Sequence, residues 1–213
     1  MIGYRIKIPS TSNKFVAELQ KLLVLQSTPV ILDIVAGPMD EACGCFENVR
    51  RRVDTDGGEF VLGWQFWEHP YMIEAEFHAV WRKPNGSLLD ITPKDDRDIQ
   101  QILFIEDTTR TYEGTQTDNV RINTTTCGLV DDIIEVEKAK YRFLNKDGRD
   151  KIIGQVNLVG DDALVWQSIV QLSAMLERLH MTGGDVNFPC FCNSGVAYKD
   201  CHREVVRKGM LEI

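Results

Sequence analysis

The sequence predicts an α+β fold followed by a small Cys/His-rich tail, and three observations carry that expectation. Apolar residues recur at helical spacing in three stretches, around Phe15–Leu23, Phe46–Val53 and Val165–Leu179. Apolar residues alternate with polar ones from Ile73 to Ala79 and resume at Trp81, with Val80 the one apolar exception on the other face, the period of a strand. In the last quarter, Cys190, Cys192, Cys201 and His202 gather within a segment too short to build a core of its own.

Taken in order, Phe15, Val16, Leu19, Leu22 and Leu23 follow the capping candidate Ser12 and place a helix over about 13–25. Val30–Val35 is strand-like and closes at Gly37-Pro38. A second helix begins near Cys45, carries Phe46, Val49 and Val53 on one side, and stops at Gly57-Gly58. Phe60–Phe66, Ile73–Arg82 and Ser87–Ile91 read as strands, the last two joined by a turn at Pro84-Asn85-Gly86. Ile102–Ile105, Val120–Ile122 and Ile133–Val136 have strand character, while Glu135–Leu144 also fits a helix, and the pattern does not choose between them. A long helix follows from Asp161 or Asp162 to Met181. Its stripe is Val165, Ile169, Leu172, Leu176 and Leu179, and Gly183-Gly184 ends it. The expected division is a main α+β domain over 1–160, a connecting helix over 161–184 and a tail over 185–213.

Three thiols and an imidazole are the donors that a borderline-soft, tetrahedral Zn²⁺ prefers, so the tail reads as a zinc site. Four ligands leave no open position, which makes the metal structural. The string over about 187–203 resembles the SEC-C motif: Pro189 before the first cysteine, one residue between Cys190 and Cys192, Asn193-Ser194-Gly195, the aromatic Tyr198, and Cys201-His202. That resemblance implies Cys190, Cys192, Cys201 and His202 as ligands of a structural Zn²⁺. It also implies an accessory that docks on a protein or ribosomal partner.

Composition bounds the rest. With 43% hydrophobic and 26% charged residues the chain is an ordinary globular one, not a disordered one. Its net charge of −8 disfavours non-specific or sequence-specific nucleic-acid binding by the surface as a whole. Between Lys199 and Lys208 the cations Lys199, Arg203, Arg207 and Lys208 outnumber Asp200 and Glu204, giving either a solvated basic face or a docking surface. Met1–Ser10 contains no apolar leader core and no run approaches a membrane span, which together imply a cytoplasmic protein. Disulfides are then not expected, and Cys43, Cys45 and Cys127 are left without a role in the tail.

A second constellation lies in the first half. Cys45 opens a helix, where backbone N–H groups and the dipole favour a thiolate. His78 and Asp90 fall on adjacent strands with a parity that brings both to one face. A thiol, an imidazole and an orienting carboxylate are the parts of a nucleophilic triad. The order of these elements, with His78-Ala79-Val80-Trp81 and Leu89-Asp90-Ile91-Thr92-Pro93, resembles the papain-like group that includes transglutaminase-like enzymes.

The resemblance implies a papain-like α+β domain. Within it Cys45 would be the nucleophile, His78 the general base and Asp90 the orienting acid of a thiol hydrolase or acyl transferase acting on an amide or ester. Cys43 is the rival nucleophile. Asn48 and Gln65 read as substrate-orienting groups or, more simply, as surface or capping residues. Glu74, Glu76 and His78 share a strand face and form a weaker alternative metal site, since such side chains diverge by about 7 Å. Trp64, Trp67, Trp81 and Trp166 read as core. The competing expectation is a non-enzymatic adaptor whose zinc tail supplies the function.

Overall fold

Helix α1 (Lys14–Leu22) starts where the Asn13 side chain accepts the Phe15 N–H at 2.9 Å, so the cap is Asn13 and not Ser12. Val16 and Leu19 bury its apolar side. The structure, a computed structural model, describes residues 6–152 and 155–213; the first half of the Met1–Ser10 stretch lies outside the described residues. The chain falls into two compact units, Met1–Arg121 and Ile122–Ile213.

The first unit is built on an antiparallel sheet. Strands β1 (Val30–Asp33), β2 (Glu59–Glu68), β3 (Met72–Arg82), β4 (Leu88–Leu89) and β5 (Gln101–Glu106) pair in the order β1-β5-β2-β3-β4, and β6 (Val120–Asn123) also pairs with β3. The last residues of the expected strand Ser87–Ile91 close the sheet on itself. Ile34 bridges Asp90, Val35 N–H donates to Asp90 O at 2.8 Å, and Asp90 N–H donates to Asp33 O at 3.1 Å. The sheet therefore curls into a small barrel with two buried faces. Leu32, Val61, Trp67, Val80, Ile102 and Phe104 fill the inside. Helix α2 (Cys45–Asp56) covers the outside, where Cys45 and Val49 pack with Ala79, Trp81 and Ile91.

Both sides of β3 are thus used. The expected apolar face holds, with Ile73, Ala75, Phe77, Ala79 and Trp81 all buried, but His78 and Val80 on the opposite side are buried too. Gly63 stands opposite His78 in the register. A Cβ there would lie 2.3 Å from Ile105 O and 2.4 Å from the Phe104 ring, so only glycine lets β5 and Phe104 approach so closely. Trp64, Trp67 and Trp81 are core residues as expected.

The second unit is helical. The stretch that the pattern left open between strand and helix is α3 (Gly128–Asn145), which buries Leu129, Val130, Ile133, Ile134, Val136, Ala139 and Phe143. Its chosen period is settled by packing on both α4 (Gly160–Met181) and α6 (Arg203–Leu211), a tertiary demand that a short apolar run does not display. Because α3 packs with the later helices, the compact boundary falls at Arg121/Ile122, and position 160 lies inside the second unit.

Helix α4 turns Ile169, Leu176 and Leu179 inward, together with Ser173, whose hydroxyl donates to Glu137 at 2.9 Å and accepts from Lys140 at 2.8 Å. Val165, expected on that stripe, is exposed. Trp166 is only partly buried and stacks on Phe143 with centroids 6.3 Å apart. No helix among the described residues is long and apolar enough to cross a membrane.

Candidate functional site

The tail forms a knuckle from two chain reversals. Asn193 and Gly195 both take positive φ, at 60° and 77°, which lets Asn193 N–H reach Cys190 O and folds Val196 back so that its carbonyl accepts Cys190 N–H at 2.8 Å. Pro189 then bridges Ala197, and the short α5 (Tyr198–Cys201) ends in Cys201 with His202 as its C-cap, the second pair of candidate ligands. Cys190 and Tyr198 are buried.

The four ligand atoms lie within 4.8 Å of one another. Cys192 Sγ is 3.6 Å from Cys201 Sγ, and His202 Nδ1 is 3.3 Å from Cys190 Sγ and 3.1 Å from Cys201 Sγ. A tetrahedron with Zn–S near 2.3 Å and Zn–N near 2.05 Å has S···S edges of about 3.8 Å and S···N edges of about 3.6 Å. The donor set and its spacing therefore fit a tetrahedral thiophilic dication. Hydrogen bonds from the Ser194 hydroxyl and backbone bring the Cys192 thiol down to about 6, a shift toward the thiolate that a metal requires, whereas burial raises Cys190.

The expected basic face is largely spent inside the second unit. Arg203 Nε donates to Asp132 at 2.8 Å and Arg207 Nε at 2.6 Å, with the Asp132 side chain fully buried on α3. Arg203 also reaches Gly128 O, Arg142 reaches Met210 O at 2.6 Å, and Lys208 pairs with Glu204. Asp132 is the residue that sequence reasoning missed. Its signal was a carboxylate at a core position of the helix, between Leu129 and Val136.

In the first unit His78 and Asp90 do meet: the ring Nε2 donates to Asp90 Oδ1 at 3.2 Å, and both side chains are buried. The Asp90 carboxylate also accepts the Thr92 N–H at 2.9 Å and pairs with Lys94 at 2.8 Å. Lys94 donates to Gln65, and Gln65 and Trp67 both donate to Glu76. Burial opposes the imidazolium, but the adjoining carboxylate outweighs it and raises His78 to about 9; burial likewise opposes the Asp90 anion, which His78 and Lys94 nonetheless hold down at about 2.

Cys45 packs with Ala79, Trp81 and Ile91 and is one of the groups whose charge acts on the His78 ring. Among the described residues no hydrogen bond joins its thiol to the His78 ring. Cys43 is exposed in the preceding loop, its thiol raised by partial burial and by the Asp95 and Glu76 carboxylates.

Asn48 and Gln65 are neither surface groups nor free to meet a substrate. Asn48 clamps the loop before α2 through both backbone groups of Glu41 and touches Thr92, and Gln65 bridges Lys94 and Glu76. Glu74 is engaged by Arg121 and Asn119, and the described residues form no metal-ligand cluster with Glu76 and His78.

Comparison with known proteins agrees with the tail. No curated protein and no solved structure matches the chain. Residues 187–204 match the family model described as the SEC-C motif, the stretch that holds the four-ligand cluster.

Proposed function

We propose that this chain is a zinc-dependent adaptor. Its C-terminal knuckle holds one structural Zn²⁺ on Cys190, Cys192, Cys201 and His202 and binds a protein or ribosomal partner. The observation that carries the proposal is the convergence of four ligand atoms of the right types within 4.8 Å, in a stretch similar to the SEC-C motif. Bound zinc would supply a crosslink and no open coordination position, so the knuckle is a folded surface and not a reaction centre.

The second reading is a papain-like thiol hydrolase or acyl transferase using Cys45, His78 and Asp90, and it is favoured by one observation, the buried His78–Asp90 pair. One feature weighs against it: Cys45 packs with Ala79, Trp81 and Ile91, and among the described residues no hydrogen bond joins its thiol to the His78 ring.

Metal analysis of the purified protein should return one zinc per chain, reduced in Cys190→Ser and Cys201→Ser. The zinc-loaded protein should cosediment with ribosomes or with a protein partner, and chelation should abolish this. Iodoacetamide labelling separates the two readings. Cys45 reacting no faster than a free cysteine, with His78→Ala making no difference, supports the adaptor. Rapid labelling with an apparent pKa of about 6 or below, lost in His78→Ala, would overturn it in favour of the enzyme.

A further inference from the structure

Helix α4 is apolar on more sides than α3 can cover. From Ala163 to Leu176 it carries no charged residue, and its inward side is already taken by Ile169, Ser173, Leu176 and Leu179. On the outward side, Leu164 is 64% exposed and Met175 44%. These two belong to a run with alternating spacings of three and four: Asp161, Leu164, Ser168, Gln171, Met175 and Arg178, all exposed. Such spacing keeps one seam straight along a helix, the pattern that pairs helices side by side.

The run is complementary to itself when reversed. Turned antiparallel, Leu164 falls opposite Met175, Ser168 opposite Gln171, and Asp161 opposite Arg178, and the three pairs share one midpoint between Ile169 and Val170. Apolar thus meets apolar, neutral polar meets neutral polar, and the two terminal charges are opposite in sign. Among the described residues neither Asp161 nor Arg178 has an ion-pair partner within its own chain.

We propose that α4 binds α4 of a second copy of this chain, antiparallel, along this seam. The seam is about 26 Å long and about 10 Å wide, so it buries a few hundred Å² per copy and places the dimer in the weak, concentration-dependent class.

Sedimentation equilibrium of the full zinc-loaded chain, from about 1 to about 500 µM, tests this, since a seam of that area fits micromolar association. A monomer–dimer equilibrium is expected, weakened at least tenfold by Leu164→Glu and by Met175→Glu. Asp161→Arg and Arg178→Asp should each weaken it several-fold, and the double variant should restore it.

Both charge changes oppose the helix dipole, so helix stability falls further in the double variant while association recovers; melting curves recorded in parallel keep the two effects apart. A wild type that stays monomeric throughout the range, or a dimer indifferent to both glutamate variants, overturns the proposal. A double variant no tighter than the singles overturns the antiparallel register.

Discussion

Asp132 of α3 and Arg203 of α6 join residues 71 positions apart through a 2.8 Å charge-assisted hydrogen bond, with the carboxylate fully buried. Arg203 follows His202, so a member of the candidate metal cluster is one residue from the latch. Asp132→Ala removes the shared partner of Arg203 and Arg207 and should cost about 3 kcal/mol. The expected outcome is a lower melting temperature of the second unit together with faster zinc loss to a chelator. Unchanged zinc release would show that the knuckle holds its shape without α3.

Removing zinc should do more than fray the tail. With the ligands freed, residues 187–211 lose their order, and the Asp132 end of α3 loses two cationic partners. Hydrogen exchange should quicken in 187–211 and around Asp132, while β2 and β3 keep their protection. Exchange confined to 187–202 would mean that α6 stays latched without metal.

The His78–Asp90 pair makes stability pH-dependent at both ends. His78 is raised to about 9 in the fold, so its contribution is complete below the unfolded value near 6.5 and disappears as pH rises through about 9. Asp90 is lowered to about 2, so its contribution is complete above 3.8 and disappears as pH falls toward about 2. Denaturant midpoints of the first unit should therefore be highest between about pH 4 and about pH 6.5. His78→Ala should flatten the alkaline limb and cost about 3 kcal/mol, because Asp90 is left buried with Lys94 alone.

Gly63→Ala tests the closeness of β2 and β5. The added carbon meets a backbone carbonyl and the Phe104 ring well inside contact distance, so the expected loss is about 3 kcal/mol in urea unfolding. Gly86→Ala is the comparison: its φ is +87° but nothing lies within 4 Å, and it should cost about 1 kcal/mol. A loss at Gly63 no larger than that at Gly86 would mean that β5 and the Phe104 ring yield to the added carbon.

Much of the chain was legible because local patterns and tertiary demands agreed. The alternation of Ile73–Trp81, the Gly57-Gly58 stop after α2, the turn at Gly86 and the extent of α4 follow from period and punctuation. The tail's cluster of four residues that could hold a metal was legible because metal chemistry restricts residue type and spacing together.

The misreadings have a common source in long-range geometry. Parity predicted that His78 and Asp90 would meet, and they do, but nothing in the sequence tells that Asp90 would also close the sheet against Asp33 and Val35. Asp132 pairs with arginines more than seventy residues away, and the period of Ile133–Leu144 was decided by α4 and α6. The share of the basic cluster in holding the second unit together was hidden for the same reason.

Of the four tryptophans, Trp64, Trp67 and Trp81 lie in the first unit and Trp166 alone in the second. The chain is therefore optically partitioned by its own composition. Exchanging Trp166 for Phe, beside its Phe143 neighbour, leaves an emission spectrum that comes entirely from the barrel, and the difference from the parent spectrum reports the helical unit by itself. The two units can thus be followed separately in one cuvette, without an added label.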